Sequence, residues 1–115
     1  MANDINYSII DNEGIKVVKL AGNISNSNKN EFELLLKRFS ERHHVILNMQ
    51  EVEVITSAGF DSLVKVAQHA RKGKWKLMLM GVREEVKKRL DEMEVRQNFI
   101  LIDSIEEGQT RIYYS

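Results

Sequence analysis

Between Val52 and Val82 the chain reads VEVITSAGFDSLVKVAQHARKGKWKLMLMGV. An apolar run closes at Ile55, and Thr56, Ser57, Ala58 and Gly59 follow. Phe60, Leu63, Val64 and Ala67 then fall at the i, i+3, i+4, i+7 spacing of one helix face. Gly73 stops this helix, with Arg71 and Lys72 in its last turn, where positive charge suits the helix dipole. Lys76–Met80, KLMLM, reads as a buried strand. Strand, polar turn, amphipathic helix and strand form one β-α-β unit, which implies parallel strands joined by a right-handed crossover.

The same alternation extends outward. Upstream, His44–Met49, HVILNM, is apolar without alternation and β-branched, the pattern of a strand covered on both faces. Before it, Asn28 precedes Glu31 at capping-box spacing, and Phe32, Leu35, Leu36 and Phe39 form a helical stripe. GNISNSNKN, Gly22–Asn30, reads as the loop leading into that helix. Ile15–Ala21, IKVVKLA, is a strand, and DNEG, Asp11–Gly14, is a turn before it. Ile5, Tyr7 and Ile9 alternate with Asn6 and Ser8, which predicts a first strand with one wet face, paired in a hairpin. Downstream, Val86, Leu90 and Met93 line a third helix that starts with Glu84 and Glu85 and continues through Lys87, Lys88 and Arg89. FILI, Phe99–Ile102, is a short strand, and Ser104–Glu107 can cap a small helix. The tail TRIYYS has no assignment. The order β-β-α-β-α-β-α-β predicts an α/β fold with a mostly parallel sheet and an antiparallel N-terminal hairpin at its edge.

At 115 residues the chain is expected to be one domain, 1–115, with its core at about 5–104 and an unassigned tail at 105–115. Lys plus Arg and Asp plus Glu are both 17, so no bulk field points to nucleic acid or to an anionic membrane. The longest apolar runs, such as Leu77–Met80, fall far short of the roughly 20 residues that span a membrane. MANDINYSII lacks the basic start and long apolar stretch of a signal peptide, so the cytoplasm is the expected location.

There is no cysteine, which excludes disulfides, zinc thiolate sites and cysteine nucleophiles. His43 and His44 are adjacent, His69 lies on the polar side of its helix, and no H-x-x-x-H or H-E-x-x-H occurs, so no metal is expected. G-x-S-x-G, Walker A and G-x-G-x-x-G are all absent. Lys87–Arg89 alternate with acids and read as a solvated face, Met49, Met78, Met80 and Met93 read as core, and Trp75 reads as a strand start at the core edge. With no catalytic apparatus visible, a binding module is expected rather than an enzyme.

Thr56 and Ser57 carry the remaining chemistry. Ser57 has two compatible readings. One is the cap of a helix starting near Ala58, worth about 1 kcal/mol. The other is a phosphorylation switch at a strand's carboxyl end, where helix N–H groups and the dipole favour an anion. A phosphate there adds roughly −1.5 to −2 charges. Thr56 is the alternative cap or a second acceptor. Gly59 costs up to ~1 kcal/mol of helix propensity, which points to a packing or access reason. Asp61, Glu51 and Glu53 either repel a phosphate or are solvated surface charges.

From His44 to Val95 the chain resembles a STAS domain of the anti-sigma factor antagonist family. Val45-Ile46-Leu47-Asn48 is similar to the family's buried strand, and Thr56-Ser57-Ala58-Gly59-Phe60 to its D-S-[SA]-G-[LF] motif. Lys72-Gly73-Lys74 and Leu77–Gly81 follow at the family's spacing, and VVKLAGNIS, Val17–Ser25, resembles its second strand. The likeness covers about Ile5 to Ser104. Two positions depart from the pattern: Thr56 stands for the usual Asp, and Ser25 for a frequent acid.

The resemblance implies a four- or five-stranded sheet with helices packed largely on one side, no catalysis and no cofactor. It implies an anti-sigma factor that is also a serine kinase as partner, Ser57 as the residue phosphorylated, and a serine phosphatase that resets it. Thr56, Ala58, Gly59 and Phe60 then shape the turn. Asp61, Ser62 and Lys65, near the exposed start of the helix, and Asn23, Ile24 and Ser25, in the neighbouring loop, are the expected partner contacts. A monomer or weak homodimer is expected. The alternatives are a STAS scaffold in another pathway, such as a stress-sensing complex or a lipid-transport ATPase, and a nucleotide-binding module.

Overall fold

The computed structural model describes residues 6–25, 28–93 and 99–113. Along them run β1 (Asn6–Asn12), β2 (Ile15–Ile24), α1 (Lys29–Ser40), β3 (Val45–Ile55), α2 (Ser57–Lys72), β4 (Leu77–Met80), α3 (Glu84–Glu92), β5 (Ile100–Ile102) and α4 (Ile105–Tyr113). The strands form one sheet in the order β1-β2-β3-β4-β5. The β1–β2 pair is antiparallel and the other three pairs are parallel. Ile5, expected in the first strand, and Tyr114 and Ser115 of the tail lie outside the described residues.

Val45, Ile46 and Leu47 are fully buried, as their lack of alternation requires. Val45 and Leu47 join Val18, Leu20 and Leu79 in the larger core, with Phe32 and Leu36 of α1, Phe60, Leu63, Val66 and Ala67 of α2, and Val86 and Leu90 of α3. Ile46 points the other way and packs with Ile15, Val17, Met78 and Ile102 against Ile105 and Ile112 of α4. Three helices thus cover one face and α4 covers the other, in line with helices largely on one side.

Four local expectations need correction. First, β2 runs on to Ile24 and β3 to Ile55, past the expected ends at Ala21 and Met49. Exposed Gln50, Glu51 and Glu53 hid the extension of β3, and Gly22, at φ 109°, lets β2 continue through a register shift.

Second, the Asn28 side chain makes no cap bond to α1. Its Oδ1 accepts from the Ser25 N–H at 3.0 Å and its Nδ2 donates to the Asn23 carbonyl at 2.8 Å, so Asn28 fastens the preceding loop instead. Third, β1 has no buried face: Tyr7 is 45% and Ile10 62% exposed, on the edge strand that pairs with β2 alone. Fourth, Trp75 lies in the bend before β4, and the unassigned residues 110–113 belong to α4.

Candidate functional site

The carboxyl ends of the parallel strands β2 and β3 meet the start of α2. Ile24 pairs with Ile55, and the Thr56 N–H donates to the Ile24 carbonyl at 3.0 Å. The Thr56 hydroxyl accepts from the Gly59 N–H at 3.2 Å and donates to the Ile24 carbonyl at 3.4 Å. Thr56, not Ser57, therefore caps α2. The helix starts one residue earlier than expected, which places Thr56 in the extended conformation (φ −76°, ψ 170°) that aims a cap oxygen at the third helical N–H. Thr is a weaker cap than Asp but serves the same purpose, so its presence at this position preserves the turn.

Gly59 is present for packing. A Cβ there would overlap the Ile24 carbonyl oxygen and stand 2.9 Å from the carbonyl carbon. The bare side of the helix faces β2 rather than solvent, so the access reason for this glycine does not hold. Close seating of α2 on the end of β2 fixes where Ser57 emerges.

The expected contact residues divide into two groups. Thr56, Ser57, Asp61 and Lys65 are exposed, and Ala58, Asn23 and Ser25 are partly so. Ser57, Asp61 and Lys65 follow i, i+4, i+8 and share one helix face. Ile24, Gly59, Phe60 and Ser62 are buried beneath them. Ser62, expected near the exposed start, is 1% exposed and its Oγ donates to Glu33 Oε2 of α1 at 3.0 Å. It is an interhelical contact, not a surface residue. Glu51, weighed as a charge that could repel a phosphate, pairs with Lys19 at 2.7 Å.

Sequence reasoning missed Arg89. Its Nη2 donates to Ser57 Oγ at 3.2 Å, and its Cζ lies 5.3 Å from the centroid of the Phe60 ring. A basic run read as solvated thus sends one member across to α2, while Lys87 stays on its own helix, 3.6 Å from Glu84. One signal was available: Arg89 adjoins Leu90 and follows Val86 by three, at the border of the buried stripe of α3.

The site is a surface, not a crevice. Strand order never reverses along the sheet, so the topological switch point that opens a cleft in other α/β folds does not arise. Among the described residues no group of three or more His, Asp or Glu side chains converges on a metal position. Among the same residues no helix is long and apolar enough to cross a membrane.

A family model described as the STAS domain matches residues 6–108. The chain belongs to the STAS domain family. Its fold is similar to that of an anti-sigma factor antagonist from Mycobacterium paratuberculosis, with a TM-score of 0.80 and 16% identity over 98% of this chain and 97% of that one. It is also similar to the phosphorylated form of the Bacillus cell fate determinant SpoIIAA (TM-score 0.68, 12% identity, 93% and 99% of the two chains). A sulfate transporter family protein from Wolinella succinogenes is similar too (TM-score 0.74, 18% identity, 90% and 88%). At these identities the likeness is one of fold.

Proposed function

We propose that this protein is an anti-sigma factor antagonist: it binds an anti-sigma factor that is also a serine kinase, frees the sigma factor, and is switched off by phosphorylation of Ser57. One observation carries the proposal. Ser57 is exposed at the first position of α2, and its hydroxyl takes no part in capping because Thr56 does that work. A phosphate on Thr56 would break the cap. On Ser57 it leaves the cap intact and adds charge to the surface.

In the transfer, Ser57 Oγ bonds to the γ-phosphorus of ATP held by the kinase. The bond from that phosphorus to the bridging oxygen breaks, ADP leaves, and the hydroxyl proton passes to a base on the kinase. The product carries roughly −1.5 to −2 charges beside Asp61, which opposes a close partner interface by repulsion and desolvation. A serine phosphatase restores the binding form by hydrolysis. The protein itself performs no catalysis in this scheme.

The test is intact mass with site mapping after incubation with ATP and an extract of the source cells, beside Ser57→Ala. One added phosphate that maps to Ser57 and is lost in the variant supports the switch. With the purified kinase, Ser57→Ala should bind constitutively and Ser57→Asp weakly; equal affinities would defeat it. A second reading, a STAS scaffold in another pathway, draws on the transporter-family relative of the same fold and on Thr56 and Ser25 standing where acids are usual. Absence of any phosphate at Ser57 would favour it.

A further inference from the structure

Helix α3 reaches the site through Arg89, and the switch described above makes no use of it. Arg89 is well placed for more than a hydroxyl. Its guanidinium lies over Phe60, a ring that is 2% exposed and therefore fixed by the core. Such stacking orients the planar fork. Among the described residues, one of its five N–H donors is engaged, toward Ser57 Oγ at 3.2 Å. Among the described residues no carboxylate forms an ion pair with Arg89, although Glu85 and Glu92 share its helix. A charged, pre-oriented fork thus faces a neutral single acceptor.

We propose that Arg89 is the internal receptor for a phosphate on Ser57, so that modification ties α2 to α3 as well as changing the surface charge. This rests on the proposed phosphorylation of Ser57. A phosphorus atom bonded to Oγ brings three acceptor oxygens within reach of the fork, and paired charge-assisted hydrogen bonds replace one neutral bond. The first-turn N–H groups of α2 favour the same anion, but they do so whatever stands at position 89. By helical spacing, Asp61 of α2 shares the face of Ser57, and Glu85 and Glu92 of α3 share that of Arg89.

The experiment needs no kinase. Phosphoserine is installed at position 57 during synthesis of the full chain, and its second ionisation is followed by phosphorus NMR in the Arg89, Arg89→Lys and Arg89→Gln forms. Free phosphoserine ionises near pH 6. The Arg89 form is expected to ionise about one unit below the Arg89→Gln form, because a nearby opposite charge favours the dianion. Arg89→Lys keeps the charge without the fork and should fall between.

Equal values in the Arg89 and Arg89→Gln forms overturn the proposal. Should Arg89→Gln fold poorly, the Arg89→Lys form decides: a value equal to that of Arg89 shows that the fork has no role. If cell extract never modifies Ser57, the kinase reading fails by itself, and the NMR comparison still decides the role of Arg89.

Discussion

The two ends of helix α2 are built differently. At its start, backbone meets backbone: Thr56 caps the first turn, Gly59 is pressed to the Ile24 carbonyl, and Phe60 is buried beneath Arg89. At its finish, side chains do most of the holding. Gly73 ends the helix in extended conformation with one bond, from its N–H to the Ala70 carbonyl at 3.1 Å. Trp75 then leans edge-on against His44 at 5.0 Å, with Lys74 5.1 Å from its ring. His69 reaches Glu41 at 3.5 Å, and a cavity of about 240 Å³ lies between Ala70, Arg71, Trp75 and Leu77. An end fixed by backbone packing can take a new charge on one spare hydroxyl without losing its shape. An end fixed by half-exposed rings and cations responds instead to the protonation of His44.

The largest effect should lie between the two ends. Leu63→Ala, in the fully buried middle of α2, is expected to destabilise by roughly 2–5 kcal/mol in denaturant titration. Gly59→Ala comes next, at about 1–3 kcal/mol, from overpacking against the Ile24 carbonyl. The sign is informative, because Ala in place of Gly at an open helix position stabilises by about 0.5–1 kcal/mol. A gain in stability would show that the start of α2 is not seated on β2.

Thr56→Ala should cost about 1 kcal/mol through loss of the cap. Ser57→Ala should stay within about 0.5 kcal/mol, as an exposed position outside the cap does. The reverse order would return the cap to Ser57.

At the far end the expected effect is one of pH. The His44 imidazole sits below its ordinary value of 6.5 because burial penalises the charged ring and Lys76 adds repulsion. Its Nδ1 accepts from the Lys76 N–H at 2.9 Å, a bond that protonation of Nδ1 removes. As pH falls through 6.5, the unfolded chain takes up the proton first, so stability is full above that point and declines toward the lower folded value. Urea midpoints should therefore drop as pH falls below about 6.5, and less so in His44→Gln. An unchanged slope in that variant would locate the titration elsewhere.

Most of the element order is legible in the sequence, because β3 opens with an unbroken apolar run and α2 repeats at helical spacing. The family motif brings Ser57 to notice. The cap is not legible, since it depends on which of two adjacent hydroxyls leads the helix, a difference of one residue. Ser62, expected at the surface, is buried because α2 packs against α1 as well as the sheet, which widens its buried arc to take in Gly59, Ser62 and Val66. The Arg89–Ser57 contact joins side chains 32 positions apart, and no spacing within a single helix encodes it.

Because neighbours in the sheet are also neighbours in the chain, β1-β2-β3-β4-β5, the molecule suits assembly in the order of its synthesis. Each new strand finds its partner already made, and none waits for a later strand to fill a gap. That limits the time an intermediate exposes an unmatched centre. A late stitch closes the sequence: Gln109 of α4 donates to Asn12 Oδ1 and Glu13 Oε2, each at 3.0 Å, at the turn of the first hairpin. Helix α4 is thus tied back to the β1–β2 turn.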